Sequence, residues 1–128
     1  MSSSFEPKRV LFVDDERLIA DTLAIIFSSQ GYETRAVYSA EQALELISDW
    51  IPNLAIIDVR LPGMNGIDLA ILLKAEYPDC RLSLFSGQAS TSDLLELARQ
   101  NGHSFDIIAK PVPPGEFLAQ AFHLLYSK

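Results

Sequence analysis

Leu54-Ala55-Ile56-Ile57-Asp58-Val59-Arg60-Leu61-Pro62-Gly63-Met64-Asn65-Gly66 contains the plan of the whole chain on a small scale. Its first four residues are apolar without alternation, the pattern of a parallel strand covered by helices on both faces. An acid follows at once. Pro62-Gly63 then signals a tight turn, and Gly66 opens a stretch of helical period.

The same unit recurs on either side. Apolar runs stand at residues 10–13, 34–37, 54–57, 82–85 and 105–108, each followed by a longer stretch of helical period. Apolar residues there return at three- and four-residue steps, as in Ile19, Leu23, Ile26, Phe27, in Ala40, Ala43, Leu44, Ile47, and in Leu118, Ala121, Phe122, Leu125. Each helix therefore has one stripe to bury. Five alternations predict an α/β fold of the (βα)5 kind, with a parallel sheet between two helical layers.

Charge within the runs orders the strands. Residues 10–13 are apolar throughout, whereas Glu33-Thr34-Arg35-Ala36-Val37 carries charge and Asp106 interrupts the fifth run. Charged strands belong at edges, which leaves the first, third and fourth central and predicts the flavodoxin-like, doubly wound order 2-1-3-4-5. Ligands of such sheets bind outside the carboxyl ends of the strands where the winding reverses, here between strands one and three. Those ends carry Asp14-Asp15 and Asp58.

The bulk numbers bound the answer. At 128 residues and 48% hydrophobic, the chain suits one domain with one core. Residues 1–7 read as a flexible leader, residues 8–128 as the domain, and the last helix is expected over residues 114–126. A net charge of -7 argues against direct nucleic-acid binding, which needs Lys and Arg to displace counterions. No apolar stretch reaches the roughly 20 residues of a membrane span, and the start lacks the apolar core of a secretory signal. A lone cysteine, Cys80, has no internal disulfide partner. A cytoplasmic protein with protein partners is expected.

Ser86 ends the fourth run, Lys110 follows the fifth, and the topology brings both beside the acids. Three carboxylates in one crevice repel one another, so they either raise a pKa or hold a cation. Hard oxygen ligands favour Mg²⁺. A carboxylate can attack phosphorus to give an acyl phosphate where metal and fixed cations neutralise the transferring oxygens. In that chemistry Asp58 is the nucleophile and Lys110 the fixed cation. The Ser86 hydroxyl donates to a phosphoryl oxygen, and Gly87 lets the ligand approach the backbone.

Each feature alone has a plainer explanation. An acidic pair after a strand often caps a helix, as Asp15-Glu16 would at the N-terminal dipole of the first helix. Asp58 would then merely start a turn, Ser86 cap the fourth helix region, and Lys110 face water before a proline. His103 and His123 have no second ligand at metal spacing, and Cys80 and Trp50 read as packing residues. The order of the polar residues decides the matter, because unrelated turns would not supply acid, acid, hydroxyl and lysine at successive strand ends.

Leu11-Phe12-Val13-Asp14-Asp15-Glu16, the stretch from Asp58 to Gly66, Ser86-Gly87 and Ala109-Lys110-Pro111 occur in this order, and over about residues 8–126 the chain resembles the receiver domain of two-component response regulators. The resemblance implies that Asp58 accepts a phosphoryl group from a phosphohistidine of a sensor histidine kinase or histidine phosphotransfer protein. It implies Mg²⁺ on Asp14, Asp15, Asp58 and the Arg60 carbonyl, with Ser86 and Lys110 reading the phosphate. It further implies a downstream effector domain or protein, a phosphorylation-dependent homodimer, and no catalysis beyond the domain's own phosphorylation and dephosphorylation. A cis peptide at Lys110-Pro111 belongs to the same pattern. So does a tuning of phosphate lifetime by the residues at Arg60 and Gln88.

One residue departs from the pattern. Ile107 stands three residues before Lys110, where the family commonly has Tyr or Phe, and it offers neither ring nor hydroxyl. That departure motivates the alternative of an interaction scaffold independent of phosphorylation. An aspartyl-phosphate phosphatase or phosphotransferase would need a carboxylate two residues after the nucleophile, where Arg60 stands. A flavin site would need an anion-cradling first loop, where Asp14-Asp15-Glu16 stands.

Overall fold

The computed structural model describes residues 6–87, 92–110 and 112–126, with backbone alone for residues 92–94. The elements follow in strict alternation: β1 Arg9–Val13, α1 Arg17–Ser29, β2 Glu33–Val37, α2 Ala40–Ile47, β3 Leu54–Asp58, α3 Gly66–Glu76, β4 Arg81–Ser86, α4 Ser92–Gln100, β5 Asp106–Ala109 and α5 Pro114–Tyr126. All strand pairs are parallel, and the sheet order is β2-β1-β3-β4-β5. The charged strands are indeed the edges.

Strand alternation divides the core. Val10 and Phe12 of β1, Leu54 and Ile56 of β3, and Phe85 of β4 meet Ala20, Leu23 and Phe27 of α1 and Phe117, Ala121 and Leu125 of α5. Their neighbours Leu11, Val13, Ala55, Ile57 and Leu84 meet Ala43 and Ile47 of α2, Leu69 and Leu73 of α3, and Ala98 of α4. Successive side chains point to opposite faces, so a run without alternation is what a strand between two helical layers requires. Edge-to-face rings fill the first layer, with Phe12 and Phe27 5.0 Å apart, Phe27 and Phe117 5.7 Å, and Phe85 and Phe117 5.1 Å.

Strand bounds differ from the apolar runs by a residue or two, because ladder pairing continues into polar positions. Glu33 pairs with Arg9, and Asp58 pairs with Phe85. The fifth strand starts one residue later than its run. Phe105 lies just before it, stacked on His103 at 6.4 Å and beneath the Lys74 ammonium at 5.4 Å. Trp50 is buried against the α2 layer and donates its indole N–H to Glu33 at 2.9 Å. Cys80 is buried, and burial pushes its thiol pKa up to about 12, so it packs as a small apolar side chain. The leader's first five residues, Gln88 and Pro111, with the cis bond expected there, lie outside the described residues.

Local caps fix the helices that flank the sheet's carboxyl edge. The Ser39 hydroxyl accepts the Gln42 N–H at 3.1 Å, while the Gln42 side chain accepts the Tyr38 N–H at 2.8 Å, a reciprocal cap at the start of α2. The Asn65 side chain likewise accepts the Asp68 N–H at 2.9 Å at the start of α3. Ser39→Ala is expected to lose about 1 kcal/mol, read as a lower urea midpoint at unchanged slope.

Candidate functional site

Asp14, Asp58, Ser86 and Lys110 all stand at the carboxyl edge of the sheet, each at the end of a strand or just beyond it. Asp14 follows β1, and its N–H donates to the Val37 carbonyl at 3.1 Å, prolonging the β1–β2 ladder by one step. One of its oxygens accepts the Glu16 N–H at 3.0 Å, and the other faces the Lys110 ammonium at 3.1 Å. Asp58 is the last residue of β3 and is 7% exposed. Its Oδ1 accepts the Arg60 N–H at 3.4 Å and lies 3.5 Å from Lys110 Nζ. Asp15 is exposed, yet Asp14, Asp15 and Asp58 each present an oxygen within 4.8 Å of the others.

Ser86 and Lys110 arrive through sheet register. Asp58 pairs with Phe85 and Ser86 with Ala109, so Ser86 sits one step beyond the level of Asp58, between it and the end of β5. The Lys110 N–H donates to the Ser86 carbonyl at 2.8 Å and extends the β4–β5 ladder. Lys110 then turns its ammonium back over three acids, Asp14, Asp58 and, at 3.8 Å, Glu16.

The electrostatics follow from this crowding. Burial first, and then the Asp14 charge, push the Asp58 carboxyl up to about 6, against the opposing pulls of Lys110 and the Arg60 N–H. Burial pulls the Lys110 ammonium down, but the charges of Asp58, Asp14 and Glu16 outweigh it, and the net shift is upward. A single ammonium does not neutralise three carboxylates. The donor set consists of hard oxygens with surplus negative charge, which fits a small divalent cation.

The loop after Asp58 is held by close backbone approach. The Val59 N–H donates to the Phe85 carbonyl at 3.1 Å, and the Val59 carbonyl accepts the Gly66 N–H at 2.9 Å, closing the loop onto the start of α3. Gly63 adopts φ 71°, the left-handed turn that Pro62-Gly63 predicts. A Cβ at Gly66 would lie 1.9 Å from the Asp58 carbonyl oxygen, so this position excludes any side chain.

Several contacts at the site have no signature in the sequence. Glu16 belongs to the acidic run but reads as a cap; it occupies the N-cap of α1 without a capping side-chain bond, and its carboxylate faces Lys110. Gly87 leaves room for the lysine, since a Cβ there would come within 2.9 Å of Lys110 Cβ; the ligand approach expected for Gly87 is therefore joined by a packing reason. The Phe85 ring, 4.8 Å from Lys110 Nζ, and Glu41 of α2, which accepts the Met64 N–H at 3.4 Å, come from elements whose periodicity marks them only as core and surface. Ile107, half exposed on the edge strand β5, does not take part in the acid cluster, and His123 is exposed.

Comparison with known proteins converges on one family. The family model for the response regulator receiver domain matches residues 10–122. The DNA-binding response regulator MtrA of Mycolicibacterium paratuberculosis is 33% identical over 113 residues, which is 88% of this chain and 49% of that protein. The aerobic respiration control protein ArcA of Escherichia coli K12 is 33% identical over 116 residues, 91% of this chain and 48% of ArcA. The chain thus spans about half the length of the curated relatives it matches. Among solved structures, a CheY-like response regulator receiver domain protein from Methanospirillum hungatei superposes with a TM-score of 0.84 at 30% identity, covering 94% of both chains. With the parallel order β2-β1-β3-β4-β5 and acids at its switch point, the chain belongs to the receiver domains of two-component response regulators.

Proposed function

We propose that Asp58 is the phosphoacceptor of this domain and that its acyl phosphate switches a protein-binding face. The observation that carries the reading is a buried carboxylate at the end of β3 with an ammonium 3.5 Å away and two further acids within 4.8 Å. An Asp58 carboxylate oxygen attacks the phosphorus of a phosphohistidine, the P–N bond breaks, and the imidazole leaves with the electron pair and takes up a proton. Lys110 offsets charge on the phosphoryl oxygens, and the Ser86 hydroxyl donates to one of them. Water attack on phosphorus later breaks the acyl O–P bond, releasing inorganic phosphate and restoring the carboxylate. The domain catalyses only these two reactions on itself.

Asp14, Asp15, Asp58 and the Arg60 carbonyl are the groups that would hold Mg²⁺. When bound, the ion neutralises the transferring oxygens and the surplus charge of the acid cluster. The phosphodonor is a sensor histidine kinase or a histidine phosphotransfer protein, and the output is an effector domain or protein, with a phosphorylation-dependent homodimer as one route to it. A net charge of -7 supports protein partners rather than nucleic acid for this segment. Among the described residues no helix is long and apolar enough to cross a membrane.

Intact mass after incubation with a small phosphodonor tests the reading. A single phosphoryl adduct that requires Mg²⁺ is expected. No adduct on folded protein would transfer the assignment to a phosphorylation-independent scaffold, the alternative that Ile107 motivates.

A further inference from the structure

We propose that Phe85 is the positioning residue for Lys110, fixing the ammonium over the acid cluster through the face of a buried ring; the kinetic consequence rests on the phosphoacceptor reading, but the contact does not. Lys110 Nζ lies 4.8 Å from the Phe85 ring centroid, inside the range of cation–π attraction. The ring is 6% exposed and the lysine side chain 15%, and such an attraction strengthens as water is removed.

The need for a positioning group follows from the lysine itself. Its four-carbon stem is flexible, and its ammonium is a point charge without directional preference. Three carboxylates surround it, the nearest being Asp14 at 3.1 Å rather than Asp58 at 3.5 Å. Charge alone would draw the ammonium to whichever acid is most available. Coulomb attraction brings the lysine to the cluster but does not choose its place there.

The ring supplies that choice because it cannot follow the lysine. Phe85 meets Phe117 edge to face at 5.1 Å and 74°, and Phe117 meets Phe27 at 5.7 Å and 87°. The Phe85 backbone is the β-ladder partner of Asp58, and its carbonyl accepts the Val59 N–H. One residue is thereby locked to the aromatic core, to the acceptor strand and to the ammonium. Gly87, two residues on, completes the seat, since a Cβ there would press on Lys110 Cβ at 2.9 Å and Cδ at 3.1 Å.

The contact is tested first on metal-free protein without a phosphodonor. The Lys110 Hε–Cε NMR signal, assigned by its loss in Lys110→Met, is expected upfield of its own position in Phe85→Leu, because the ring shields it. The reference is the same lysine, since Lys8 and Lys74 also lie over rings. Where leucine does not fold, Phe85→Met serves. Kinetics follow with fluorinated phenylalanines at position 85, which keep the ring's shape while weakening the charge on its face. Phosphorylation by a small phosphodonor is expected to slow stepwise with fluorination, about five- to tenfold in all. An unshifted Lys110 signal, or one rate across the series, would overturn the proposal. A shifted signal on a protein that takes up no phosphoryl group would uphold the contact and remove the phosphoacceptor reading.

Discussion

Asp58→Asn is expected to lose the phosphoryl adduct completely and, in metal-free buffer near neutral pH, to melt at a higher temperature than the wild type. The two effects share one cause. In the proposed mechanism Asp58 supplies the attacking oxygen, and to keep that oxygen ionised in place the fold tolerates a carboxylate that burial and Asp14 disfavour. Its folded pKa of about 6 exceeds the ordinary 3.8, so the folded state holds the proton more tightly than the unfolded one. The associated stability is complete below the unfolded pKa and declines as pH rises through about 6. A gap of roughly two pKa units corresponds to about 3 kcal/mol, reduced to about 2 kcal/mol by residual solvent screening. For a domain of this size that is about 6 °C in Tm. Melts of both proteins in chelator are expected to coincide near the acid end and to separate with rising pH, reaching a plateau above about pH 7. Parallel curves with no pH-dependent gap would mean that the carboxyl is not crowded. Mg²⁺ is expected to stabilise the wild type and to narrow the gap, since the ion relieves the repulsion that asparagine removes.

Much of this site was legible because parallel sheets translate sequence position directly into place. A residue that follows a buried apolar run must stand at the carboxyl edge, so the location of Asp14, Asp58, Ser86 and Lys110 follows from their order along the chain. Edge strands were equally plain, since Glu33, Arg35 and Asp106 could not lie between helices on both faces. Contacts that depend on how far a side chain reaches were not legible. Nothing in a run of five apolar or small residues distinguishes Phe85, whose ring meets an ammonium, from Leu84, which meets the other helical layer. Glu16 reads as a helix cap because its neighbours in sequence form a helix, whereas its charge answers to a lysine 94 positions away. Periodicity reports which face a residue takes. It carries no information about what approaches that face from a distant part of the chain.

Gly66→Ala is expected to cost about 3–4 kcal/mol, at the severe end for a single methyl, and to slow phosphorylation of the protein that still folds. The added Cβ would lie 1.9 Å from the Asp58 carbonyl oxygen and 3.0 Å from Ile57 Cγ2, and neither neighbour is the free end of a flexible side chain. Relief requires α3 to back away from β3 or the end of β3 to shift. The first strains the Gly66 N–H bond to the Val59 carbonyl, and the second displaces Asp58 from the acids and from Lys110. Gly115→Ala provides the comparison, because a Cβ there meets nothing within 4 Å and the residue lies in the first turn of α5. Alanine at that position is expected to stabilise the fold by about 0.5 kcal/mol through its helix propensity. Opposite signs in urea denaturation of the two variants would tie the effect to the backbone approach rather than to loss of glycine as such. A Gly66→Ala protein of native stability that no longer took up phosphate would show that the strand end yields before the helix does. A protein that lost stability but kept its rate would show that the helix withdraws and leaves Asp58 in place.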